Sequence, residues 1–134
     1  MTTADGKYLL GRRTDTREWA LPGGRIEQNE GALEAGLREL REESGIIGNS
    51  GAIAGSRNIR VDDREWMTVG VIVHLEEYSD DVAVREPEPG KIGNWRWADA
   101  TDRPQPMYNP TRIVLELVHW GLLESHNSVS IEVP

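Results

Sequence analysis

The period of apolar and polar positions changes several times along this chain, and each change predicts an element. Residues 7–13, Lys-Tyr-Leu-Leu-Gly-Arg-Arg, form a short apolar run between polar flanks and predict a strand. Asp5-Gly6 ahead of them is a hairpin-turn dipeptide, and only four residues precede it, so its partner strand is expected to be short or absent. From about residue 31 to residue 44 the period becomes helical, with Leu33, Leu37 and Leu40 at i, i+4, i+7 making one apolar stripe. Gly31 can serve as its N-cap, and Gly45 sits where a helix ends on a left-handed residue. Residues 53–60, 67–75 and 95–97 are strand candidates, while 76–93 is acidic, interrupted by Pro and Gly, and reads as a loop. Pro110 opens a second amphipathic helix carrying Ile113, Val114, Leu117, Val118 and Leu122. The tail 128–133 alternates with period two and is expected to be a final strand or a disordered end. Strand, helix, several strands and helix in that order imply an α+β fold or a mixed-sheet α/β sandwich.

A chain of 134 residues without repeats or a dividing linker is expected to be a single domain over 1–134. It contains no cysteine, which excludes disulfides, thiol nucleophiles and cysteine-ligated metals. The net charge of −8 argues against a nucleic-acid partner, since phosphate backbones are held by Lys and Arg, and suits divalent cations instead. No stretch has the roughly 18 consecutive apolar residues of a membrane span, and the start lacks a basic-then-apolar signal. A cytoplasmic protein without a membrane partner is expected.

Glu39, Glu42 and Glu43 stand at i, i+3, i+4 and place three carboxylates on one helix face. At 100° per residue that face is centred about 120° from the leucine stripe, so the helix can pack on a sheet and present its acids to a cleft. Two readings compete. A solvated face is supported by the i, i+4 pairs of Glu34 with Arg38 and Arg38 with Glu42. A divalent site is supported by charge, because clustered carboxylates become favourable around a hard cation such as magnesium.

The surrounding residues decide between them. Gly24, five residues, Glu30, seven residues, then Arg38-Glu-Leu-Arg-Glu-Glu-Ser-Gly-Ile46 match G-x5-E-x7-R-E-U-x-E-E-x-G-U, with U aliphatic, without a miss. At ordinary residue usage such a match arises by chance on the order of 10⁻⁹ times per start position. This is the Nudix box, and over residues 24–46 the chain resembles the Nudix hydrolase family. Trp19-Ala-Leu-Pro-Gly-Gly24 also resembles the strand and turn leading into that box. Glu88-Pro-Gly-Lys91 with Trp95-Arg-Trp97, and Met107-Tyr-Asn-Pro110, are more loosely similar to segments of the family's small nucleoside triphosphate pyrophosphatases, with Gly90 in place of a second acid.

The resemblance implies an α/β/α sandwich around a mixed sheet and hydrolysis of a nucleoside diphosphate linked to a further group. It implies magnesium, with manganese as a substitute, held by Glu39, Glu42 and Glu43 and by the Gly23 carbonyl. Arg38 with Glu30 would orient the carboxylates. Glu39 or Glu43 would accept a proton from the attacking water, with Glu65, Glu86 and Glu88 as acids outside the box that could do so instead. The expected substrate is a nucleoside triphosphate, oxidised or noncanonical bases included. ADP-ribose or a nucleotide sugar is the alternative, and a catalytically silent nucleotide-binding domain a third reading.

For the base, Trp66 beside Glu65 is the stacking candidate and Glu88 a further substrate contact. Trp95 and Trp97 are expected in the core, because a chain with no Phe needs its tryptophans for aromatic volume. Arg57, Arg60 and Arg64 could meet phosphates, and His74, His119 and His126 show no metal spacing. The edge ahead of Asp5-Gly6 is expected to be filled by residues 129–133, from this chain or from a second copy in a homodimer. Gly36 inside the box helix costs about 1 kcal/mol against Ala and would let that helix approach the sheet closely.

Overall fold

The computed structural model describes residues 1–126. Its elements are β1 (Tyr8–Arg13), β2 (Trp19–Ala20), α1 (Ala32–Ser44), β3 (Gly51–Val61), β4 (Arg64–Val73), a 3₁₀ turn (Ser79–Asp81), β5 (Ile92–Ala98) and α2 (Asn109–His126). Strands pair antiparallel in two sheets, β2-β1-β5 and β3-β4. Among the described residues parallel pairing is confined to two isolated bridges, Thr2 with His74 and Trp19 with Met107, and both sheets are antiparallel.

β1 is buried from Tyr8 to Gly11 because both of its faces are covered. Tyr8 and Leu10 pack with Ala98 and with Leu115 of α2, while Leu9 packs on the other face with Leu40 of α1, Ile46 and Val73. Alternation along a strand thus feeds two cores, one under each helix. β4 does the same, since a Cβ on Gly70 would touch Val114 of α2 at 3.3 Å and one on Gly36 of α1 would touch Val71 at 3.3 Å. The second of these contacts is the physical reason for the helical glycine. The fold is the expected α+β sandwich, helix on each side of the strands.

The box helix ends where its glycines predict. Gly31 is the N-cap, and Gly45 takes φ 74° with its N–H donating to the Arg41 carbonyl. β3 and β4 run further than their apolar patterns, as a two-stranded arm closed between Val61 and Arg64. Asp62 and Asp63 both have positive φ, 51° and 64°, the geometry of a type I′ turn made here without glycine. Ladder pairing carries the polar residues at the tip, so periodicity alone could not reach them.

Ahead of Asp5-Gly6 the partner of β1 is as short as expected. Thr2 itself bridges Tyr8 and His74, its N–H donating to the Val73 carbonyl at 2.8 Å and its carbonyl accepting from Leu75 at 2.8 Å. One residue therefore joins the two sheets, and residues 129–133 lie outside the described residues. Asp5 fastens this corner, accepting bonds from the Thr3 hydroxyl, the Ser79 N–H and the Ser79 hydroxyl. No helix among the described residues is long and apolar enough to cross a membrane.

Two expectations arise here. A Cβ on buried Gly11 would lie 2.7 Å from Ile92 Cγ1 and 2.7 Å from Trp95 Cζ3. Gly11→Ala should therefore destabilise by about 1–3 kcal/mol through overpacking, read as a lower denaturation midpoint. The second concerns acid. The Ser79 and Thr3 hydroxyls hold the Asp5 carboxyl below the usual carboxylate range, and the Arg13 guanidinium holds Asp15 down at about 2. Groups depressed in the native state contribute stability that is full above about pH 4 and is lost as pH falls through their native values. The melting temperature should fall between about pH 4 and pH 2, and less steeply in Asp5→Asn; an unchanged slope in that variant would remove Asp5 from the explanation.

Candidate active site

α1 does not turn all its acids to open water. Glu39 and Glu43 are buried, 7% and 4% exposed, like the apolar Ala35 and Leu40 of the same helix. Glu42 is half-buried. The loop leaving β2 covers the two inner carboxylates. Gly23 N–H donates to Glu43 Oε1 at 2.9 Å. Gly24 approaches Glu39 so closely that a Cβ there would lie 2.3 Å from Oε1 and 2.9 Å from Oε2. A side chain at that place would push the Glu39 carboxylate aside. The expectation for Gly23 was its carbonyl; the contact it makes here is through its N–H.

Arg38 organises the rest. Its Nε and Nη2 donate to Glu30 Oε2 and Oε1 at 2.7 and 3.0 Å, a two-point fork on one carboxylate. Nη1 donates to Glu39 Oε1 at 2.9 Å and to Glu42 Oε2 at 3.1 Å. Nη2 also donates to the Arg25 carbonyl at 2.9 Å, so the same side chain pins the box loop. The Arg38 guanidinium holds the Glu30 carboxyl down at about 2. Burial pushes the Glu43 carboxyl up to about 7, against the Gly23 N–H that draws it down, and the charge of Glu39 adds to the rise.

These residues fit a hard cation. Glu39 Oε2 is a buried carboxylate oxygen with no hydrogen-bond partner, which is costly unless something positive meets it. The donors are all oxygen, the preference of magnesium. Among the described residues no three His, Asp or Glu side chains converge into a ready-made cage, and Glu42 leans on Arg38. Glu39 and Glu43 are thus the inner pair that could hold an ion, with Glu42 at the rim.

The other candidates separate. Trp66 lies on the exposed arm with the Arg25 guanidinium 5.4 Å from its ring centre, and so stands against the box loop. Glu88 pairs with Lys91 at 3.6 Å. Glu86 accepts the Asn94 N–H where β5 bulges, and Glu65 faces Arg60 in register on the arm. Trp95 and Trp97 pack in the core over α1. Arg57 pairs with Glu116 of α2 at 2.8 Å. His74 Nδ1 shares a 2.7 Å bond with the Thr2 hydroxyl. Arg25, the Gly23 amide and Lys91, whose charge draws Glu43 down, were not among the expected site residues. Lys91 reaches the carboxylates only through folding, and nothing in its spacing marks it.

Comparison with known proteins shows the family and the fold. The family model for the NUDIX domain matches residues 1–118. The chain is 25% identical over 122 residues to an RNA pyrophosphohydrolase of Novosphingobium aromaticivorans, covering 78% of this chain and 76% of that protein. The fold superposes on the crystal structure of a MutT NUDIX hydrolase from Burkholderia pseudomallei with TM-score 0.70 and 29% identity, over 87% of this chain and 92% of that one. It superposes on the E. coli ORF135 protein with TM-score 0.69 and 25% identity, over 96% and 90%. A box matched at every fixed position, the carboxylates it carries drawn under the Gly23-Gly24 loop, and a family match over most of its length together establish that the chain belongs to the Nudix family of hydrolases acting on phosphoric anhydride bonds.

Proposed function

We propose that this chain, acting as one domain, is a magnesium-dependent pyrophosphohydrolase of a nucleoside triphosphate, releasing nucleoside monophosphate and pyrophosphate. Manganese can replace magnesium, and the reaction runs in the cytoplasm on free nucleotides. The observation that carries the reading is the unpartnered Glu39 Oε2 beneath Gly24, beside Glu43. Divalent ions supply neutralisation of the polyphosphate and a lowered pKa for water. Glu39, Glu43 and, at the rim, Glu42 are the carboxylates that would hold them. Arg38, clamped by Glu30, keeps Glu39 aimed. Gly23 and Gly24 leave the approach to phosphate free of side chains. As water forms a new bond to phosphorus and the bridging P–O bond breaks, the proton of the water passes to Glu39 or Glu43. Trp66 stacks the base, and Glu88 borders the site from the loop before β5.

A second reading is favoured by the similarity to an RNA pyrophosphohydrolase. A 5′-triphosphate end of RNA presents the same anhydride, and one terminal contact asks little of a chain with net charge −8.

Product analysis tests both. Nucleoside triphosphates, 8-oxo-dGTP, triphosphorylated RNA, ADP-ribose and nucleotide sugars are offered with magnesium and with EDTA. Magnesium-dependent release of pyrophosphate and monophosphate from a free nucleotide is expected, and none with EDTA. Release from RNA alone would select the second reading. A sugar phosphate as product would move the substrate to ADP-ribose or a nucleotide sugar, and binding without any turnover would make the domain a silent nucleotide binder.

A further inference from the structure

Arg25 is held at one end and free at the other. Its carbonyl accepts from Arg38 Nη2 at 2.9 Å, one residue from Gly24, which abuts Glu39. Its guanidinium lies 5.4 Å from the centre of the Trp66 ring, and among the described residues it forms no ion pair with a carboxylate. Trp66 is 39% exposed on β4, opposite Ile59. Trp19, Trp95 and Trp97 pack against the two cores, whereas the Trp66 indole stands at the surface beside the box loop.

The spacing decides what that use can be. A base held between guanidinium and indole would need about 7 Å, two van der Waals separations of ~3.5 Å. At 5.4 Å there is no room for one. A base reaching the indole must therefore displace the guanidinium, while the Arg25 backbone stays pinned by Arg38.

We propose that Arg25 and Trp66 form an exchange switch: the nucleobase of the substrate takes the place of Arg25 on the Trp66 face, and the released guanidinium turns to the polyphosphate beside Glu39. This rests on the function proposed above and deepens it. Base recognition and phosphate neutralisation become one event, because a cation over an indole is worth less than the same cation on a phosphate in a partly dry site.

The test compares a ligand with a base and one without. KM is measured for whichever of 8-oxo-dGTP, GTP and ATP is hydrolysed best, and inorganic tripolyphosphate is titrated as a competitive inhibitor. Trp66→Ala is expected to raise KM by roughly 5- to 100-fold, the range of base–aromatic stacking, with the inhibition constant of tripolyphosphate unchanged or lower because Arg25 is already free. Trp66→Phe should restore KM, and Arg25→Gln should weaken tripolyphosphate more than the nucleotide. Equal shifts of both ligands in Trp66→Ala, or no shift of either, overturn the switch. A wild-type protein that hydrolyses none of the panel with magnesium overturns the proposed function and the switch with it.

Discussion

Glu43→Gln is expected to lower turnover about 10³-fold or more, because several kcal/mol of transition-state stabilisation leave with a metal ligand and each 1.36 kcal/mol is tenfold. The fold should survive. Glutamine keeps an oxygen at Oε1 to accept the Gly23 N–H, a 2.9 Å bond in the native protein. Burial already disfavours the charge, pushing the Glu43 carboxyl up to about 7, so a neutral amide is the easier group to bury. The melting temperature without metal should be equal or higher. Magnesium should raise the melting temperature of the wild type by binding the native state, and that rise should shrink in the variant. Near-normal turnover in Glu43→Gln would remove this carboxylate from the site.

Gly24→Ala is expected to reach a similar end by another route. The three atoms nearest its added Cβ all belong to the Glu39 carboxylate, Oε1 at 2.3 Å and Cδ at 2.5 Å among them. The far end of a glutamate can swing aside, so thermal stability should stay close to wild type. Displacing that carboxylate by an ångström should cost about 10²-fold in turnover. The two effects are separable in a double-mutant cycle. In a Glu39→Ala background Gly24→Ala should cost little further, because the group it displaces is gone. Additive losses would show that Gly24 acts through something other than Glu39.

The elements and the chemistry stand at different distances from the residue pattern. Leu33, Leu37 and Leu40 with Gly31 and Gly45 locate α1 to within a residue, since helix period and helix punctuation are local. The continuous burial of β1 needed both helices, and the arm of β3 and β4 needed its partner strand to carry polar residues. The turn at Asp62-Asp63 lacks the glycine by which such turns are usually read. The acids of α1 were legible as a set but not in rank. Helical geometry puts Glu39, Glu42 and Glu43 on one face, yet the loop after β2 closes over only Glu39 and Glu43.

The box, its helix and its three carboxylates are therefore written in the order of residues, because spacing along a helix is enough to place them on one face. The family follows from the same spacing. The burial that raises Glu43, the bare approach of Gly24 to Glu39, the joining of two sheets through Thr2 and the meeting of Arg25 with Trp66 are not. Each depends on segments far apart in the chain coming within a few ångströms. That distance is set by how the two cores pack around β1, a long-range balance that no local pattern encodes.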